Sequence, residues 1–221
     1  MKPINKLIDH TLLKAFATES DIKKLCEEAL KYDFASVCVN PSNVALASSL
    51  LKNSDVKVCT VIGFPLGANT IEVKAFETKD AVKNGATEID MVINIGKAKD
   101  HDYEYILEEI RNVVDSADGN LVKVIIETCY LDKEEMEEVC HMASLAGANF
   151  VKTSTGFGTA GAKAEDVKLM KASIPSTMEV KASGGIKTLK DLQEMVNAGA
   201  TRIGASSGAA ILKEYEERGN K

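Results

Sequence analysis

The sequence predicts an α/β chain folded as a single-domain (β/α)8 TIM barrel over residues 1–221, and three observations carry that expectation. Eight short apolar, β-branched runs alternate with amphipathic segments along the whole length. The runs are continuous, as in VKVCTVIG and LVKVIIET, which is the pattern of parallel strands covered on both faces. Three amphipathic segments end in Gly-Ala just ahead of a run, at Gly85-Ala86, Gly147-Ala148 and Gly199-Ala200, where glycine suits a helix C-terminus. Eight such units in 221 residues take about 28 residues each, a compact barrel.

In chain order, strands are expected over Leu7 to Leu12, Ser36 to Asn40, Val56 to Gly63, Glu88 to Asn94, Leu121 to Thr128, Asn149 to Thr153, Met178 to Ala182 and Thr201 to Ala205. Between the first two, Ile22, Leu25, Cys26, Ala29 and Leu30 form one helical stripe; between the fourth and fifth, Tyr103, Ile106, Leu107, Ile110, Val113 and Val114 form another. Asp132-x-x-Glu135 and Thr188-x-x-Asp191 are capping signals that open two later helices. An open doubly wound sheet is the competing architecture. It would need a Gly-rich dinucleotide fingerprint after the first strand, and DHTLLKAFATES contains none.

Charge and composition exclude several function classes. With 27 basic and 33 acidic residues the net charge is −6, which disfavours a nucleic-acid partner and an anionic membrane surface. No run approaches the roughly 18 apolar residues of a membrane span, and MKPINKLIDHTLLK does not read as a secretory signal. The five cysteines never form CxxC and read as free thiols of a reducing, cytoplasmic compartment, with Cys38 and Cys59 as core thiols. His10, His101 and His141 fall on different units, the last two in helical segments, so no histidine metal set is visible and no metal is expected.

In such a barrel the site lies where strands end, so a charged residue is read by its place in a strand. Lys57 and Lys123 come early and are assigned to the opposite, stability face. Lys152 in FVKTSTGFG and Lys181 in EVKASGG come late, before small polar residues, on neighbouring strands. Two ammonium groups about 6 Å apart at an effective dielectric of about 20 repel by about 2.8 kcal/mol, or about two pKa units. That would make one lysine a nucleophile for a carbonyl; alternatively each is paired with a carboxylate in water, and spacing leaves both open. Asp90, inside the fourth strand, is a candidate proton relay or a structural ion pair, and Asp9 a weaker, supporting polar group. Ser183-Gly184-Gly185 and Gly204-Ala205-Ser206-Ser207-Gly208, each leading into a helix, suit a phosphate.

Taken together, IDHTLL, VCVNP, VIGFPLG, EIDMVINIG, VKTSTGFG, VKASGGI and GASSG resemble the deoxyribose-phosphate aldolase family over essentially the whole length. The resemblance implies a class I aldolase that needs no metal or organic cofactor. Lys152 would be the Schiff-base lysine, Lys181 the second lysine and Asp90 the proton relay. The implied reaction is reversible cleavage of 2-deoxy-D-ribose 5-phosphate to D-glyceraldehyde 3-phosphate and acetaldehyde. The substrate would be a small phosphorylated sugar, and a homodimer is expected. Two departures stand out: Phe157 follows Gly156 where some relatives carry a lysine, and the sequence ends ERGNK where some carry a tyrosine. Another Schiff-base lyase on the same barrel, or a non-catalytic sugar-phosphate-binding barrel, would fit the same residues.

Overall fold

The structure, a computed structural model, describes residues 3–219; Asn220 and Lys221 of the ERGNK ending lie outside them. Eight strands appear in the order expected: β1 Ile8–Leu12, β2 Ser36–Val39, β3 Lys57–Ile62, β4 Glu88–Val92, β5 Leu121–Ile125, β6 Phe150–Lys152, β7 Glu179–Ser183 and β8 Arg202–Ala205. Each pairs in parallel with the next, and β8 returns to β1 to close the barrel. The helices are α1 Glu19–Tyr32, α2 Val44–Leu51, α3 Ile71–Lys83, α4 Ile95–Lys99, α5 Tyr103–Ser116, α6 Lys133–Leu145, α7 Ala164–Ala172, α8 Leu189–Ala198 and α9 Gly208–Gly219. Among the described residues, no helix is long and apolar enough to cross a membrane.

The local rules that predicted the elements operate as written. Asp132 and Glu135 form a reciprocal capping box on α6, as do Thr188 and Asp191 on α8, and Thr18 with Asp21 adds a third on α1. Gly85, Gly147 and Gly199 all take left-handed backbone where their helices stop. The stripes of α1 and α5 bury Ile22, Leu25, Ile106 and Ile110 in one continuous apolar layer between the helices and the outside of the barrel. Each such side chain contributes about 1.5–3 kcal/mol.

Strand ends were overrun. β5 stops at Ile125 rather than Thr128, because Glu127 adopts φ +53° and Thr128–Tyr130 winds into a 3-10 turn. β4 stops at Val92 rather than Asn94, and the short α4 follows at Ile95, in a stretch to which the sequence assigns no element. His101 sits in the turn after α4 at φ +55° rather than in a helix. Apolar residues continue past the last ladder bonds here, so hydrophobicity alone does not mark where a strand ends.

One buried ion pair fixes the loop after β3. Lys74 of α3 is fully buried and donates to the carbonyls of Gly67 at 2.7 Å and Val92 at 2.8 Å and to Glu109 of α5 at 2.5 Å. Glu109 accepts from the Asn94 amide at 2.9 Å with its other oxygen. Burial lowers the Lys74 pKa and raises that of Glu109, each opposed by the partner's charge. Lys74→Met is therefore expected to cost about 3–5 kcal/mol, by stranding the carboxylate. An unfolding free energy from urea titration within about 1 kcal/mol of the parent protein would show that this clamp does not hold the loop.

Candidate active site

The barrel interior is charged rather than oily. Its small apolar cluster is Cys38, Cys59 and Val61, with Leu13 and Phe64 packed on it. Around it, four cations (Lys123, Lys152, Lys181, Arg202) meet three carboxylates (Asp9, Glu88, Asp90), all buried. Burying an ion costs several kcal/mol unless it is paired, and every member has a partner. Asp90 stands at the centre. Its Oδ2 accepts from Lys152 and from Lys181, each at 2.7 Å, and its Oδ1 from Lys123 at 2.8 Å and the Cys59 thiol at 3.1 Å. Asp9 accepts from Ser36 at 2.7 Å and Arg202 at 2.6 Å, and lies 2.5 Å from Lys181. Glu88 takes Lys123 at 2.6 Å and Arg202 at 2.5 Å.

These contacts set the charge states. Burial alone would raise the Asp90 carboxyl, but Lys123, Lys152 and Lys181 outweigh it and hold the group well below the usual carboxylate range. Asp9 is depressed likewise: burial opposes, and Lys181, Arg202 and Lys123 prevail. Burial would lower Lys181, yet Asp9 and Asp90 carry it above the ordinary lysine range; Lys123 is held up against burial by Asp90, Cys59, Glu88 and Asp9. The two late-strand lysines thus do not simply repel each other, because one carboxylate oxygen binds both.

Register explains how the centre is assembled and why Lys123 belongs to it. Asp90 of β4 pairs with Lys123 of β5, and Lys152 of β6 pairs with Lys181 of β7. Asp90, Lys123, Lys152 and Lys181 are each the third residue of their strand. The assignment of Lys123 to the stability face is corrected: it is fully buried inside the barrel, bonded to the carboxylate that also binds Lys152. Its position matched that of Asp90, and that shared position was the available signal. Glu88 and Arg202, at strand starts, were missed for want of one. Lys57 is exposed at the start of β3, as expected.

Above the network opens a cavity of about 280 Å³. Gly184, Gly185, Gly204 and Ser206 line it together with Lys152, Thr155, Phe157, Lys14 and Lys187. The sequence-predicted anion residues are thus brought to one wall, apart from Asp9, which the structure places below the cavity in ion pairs with Lys181 and Arg202. Gly184 and Gly185 both take left-handed backbone, at φ +86° and +80°. Gly204 permits a close approach: a Cβ there would lie 2.9 Å from that of Ser183 and 3.2 Å from Cε of Lys181. The loop after β6 is tied down by Glu127, which accepts from the Thr155 amide at 3.1 Å and from its hydroxyl. Phe157 meets Phe64 edge-on, with ring centroids 5.3 Å apart. Cys38, Cys59 and Asp90 bring two thiols and a carboxylate within 4.8 Å of one another. The Lys123 ammonium lies against that carboxylate and 3.3 Å from the Cys59 sulfur.

The barrel that holds these residues has counterparts among known proteins. Residues 4–215 match the DeoC/LacD family aldolase description. The chain belongs to the DeoC/LacD family of aldolases. As a member of that family it is an enzyme, a lyase. A deoxyribose-phosphate aldolase of Clostridium perfringens is 62% identical over 209 residues, covering 94% of this chain and 93% of that protein. One from Thermoanaerobacter is 58% identical over 217 residues, covering 97% of each. Among solved structures, the deoxyribose phosphate aldolase of Aeropyrum pernix, described as a unique tetramer, superposes with a TM-score of 0.91 at 36% identity, covering 97% of this chain and 91% of that one. These aldolases share the closed barrel, so the doubly wound alternative falls, and membership in an aldolase family removes the non-catalytic barrel from consideration.

Proposed function

We propose that this aldolase cleaves 2-deoxy-D-ribose 5-phosphate reversibly to D-glyceraldehyde 3-phosphate and acetaldehyde through a Schiff base on Lys152. One observation carries the choice of nucleophile: of the three interior lysines, Lys152 alone lines the cavity, while Lys123 and Lys181 lie beneath it. Charge counting supports the same residue. With Lys152 as a free amine, the remaining three cations, Lys181, Lys123 and Arg202, match the three carboxylates.

The Lys152 amine adds to the C1 aldehyde and loses water, giving a protonated imine. Loss of the C3 hydroxyl proton lets the C2–C3 bond break, its electron pair moving into the imine to form an enamine and releasing the phosphorylated aldehyde. Protonation of the enamine at C2 and hydrolysis free acetaldehyde and restore the amine. Asp90 and Lys181, joined at 2.7 Å and one carboxylate oxygen from Lys152 Nζ, are placed to pass that proton through water. The phosphate rests at Gly184, Gly185, Gly204 and Ser206, ahead of the N-termini of α8 and α9.

Borohydride added with acetaldehyde or deoxyribose 5-phosphate is expected to trap a stable adduct on Lys152, located by peptide mass. An adduct on Lys181, or none, would overturn the assignment.

A further inference from the structure

We infer that Lys14, in the loop after β1, is a phosphate contact that supplies positive charge on the flank of the cavity where no glycine loop reaches. The inference rests on the function proposed above and deepens it. β1 and β8 are hydrogen-bonded neighbours, with His10 opposite Ala205. The chain leaving β1 therefore runs beside the chain leaving β8, and Leu12, Leu13 and Lys14 line the same cavity as Gly204 and Ser206.

Three facts about that cavity favour an anion met from two sides. Its lining includes Lys14, Lys152 and Lys187 and no carboxylate side chain, in a protein of net charge −6. Lys152 is held at the floor by Asp90, which leaves Lys187 on the β7 side and Lys14 on the β1 side. Phe157, on the β6 side, brings an aromatic ring rather than a charge. The Lys14 ammonium lies 5.6 Å from the Phe16 ring centroid and makes no close ion pair among the described residues, though the Asp21 carboxylate feels its charge. It also borders an adjoining hollow of about 430 Å³ between β1 and α1, which gives the side chain room to swing toward the mouth. Asp21 and Glu28 line that hollow, so the anion is favoured on the cavity side of Lys14 and not beyond it.

The test compares kcat/KM for 2-deoxyribose 5-phosphate with that for unphosphorylated 2-deoxyribose, in the parent protein, Lys14→Met, Lys14→Arg and Lys24→Met. Lys24 borders only the adjoining hollow. Lys14→Met is expected to lower the ratio about tenfold, mainly through KM, equivalent to about 1.4 kcal/mol. Lys14→Arg should restore most of it, and Lys24→Met should leave the ratio as it was. An unchanged ratio in Lys14→Met, an arginine variant as poor as the methionine one, or an equal drop in Lys24→Met would each overturn the inference. Calorimetric titration with inorganic phosphate separates the two readings. If the parent protein cleaves neither sugar yet binds phosphate more tightly than Lys14→Met does, the substrate assignment fails and Lys14 stands. Equal phosphate affinity in both proteins removes Lys14 whatever the substrate.

Discussion

Lys152→Ala is expected to lower turnover by roughly 10⁴-fold or more while leaving the fold and its melting temperature nearly unchanged. The asymmetry follows from the wiring. Asp90 keeps Lys123 and Lys181 as partners when Lys152 is removed, and the interior then holds three cations against three carboxylates. The loss of a floor-lining side chain costs little packing, because it borders an open cavity. A kcat measurement together with a thermal melt checks both halves. Retained aldol cleavage in the alanine variant would rule out the imine route, and collapse of the fold would show that Lys152 also has a structural role.

Lys123→Met is expected to damage both stability and turnover, by about 3–5 kcal/mol for the first. It removes one partner each from Asp90 and Glu88 inside the barrel. Lys152, Lys181 and Arg202 then remain for three carboxylates, so the charge balance around the nucleophile changes and turnover should fall. Asp90 and Asp9 have depressed pKa values in the folded protein, so the stability they contribute is present above their unfolded value of about 3.9 and is lost as pH falls toward the folded values. Weakening that depression at Asp90 should make acid unfolding begin at higher pH. A pH–rate profile and acid titrations followed by circular dichroism test this. An unchanged profile would mean that Lys123 does not bear on the nucleophile.

Much of the fold was legible because barrel units repeat a local grammar. Capping boxes, glycine helix ends and unbroken apolar strands each have a physical cause within a few residues, and each was found where expected. Strand ends were less legible, since the last apolar residues of β4 and β5 belong to loops whose backbone is fixed by distant partners such as Glu109 and Thr155. At the site, Lys152, Lys181 and Asp90 could be picked out as charges in apolar strands. What links them could not, because it depends on inter-strand register. Lys123 looked peripheral by position and proved central by pairing. The glycine-lined wall of the cavity was legible in the sequence, whereas the place of Lys14 beside it follows from the contact of the first and last strands, which only closure of the barrel creates.

That closure bears on how the molecule is made. The bond between Arg202 and Asp9 joins residues 193 positions apart, and Lys181 reaches Asp90 across 91. A ribosome delivers Asp9, Glu88 and Asp90 long before it delivers Lys181 and Arg202. Until the seventh and eighth units emerge, Asp9 has neither Lys181 nor Arg202 beside it, and Asp90 and Glu88 each lack one of their cations, so water is the best environment for Asp9. The nascent chain therefore has an electrostatic reason to leave its centre open until the final strand can dock.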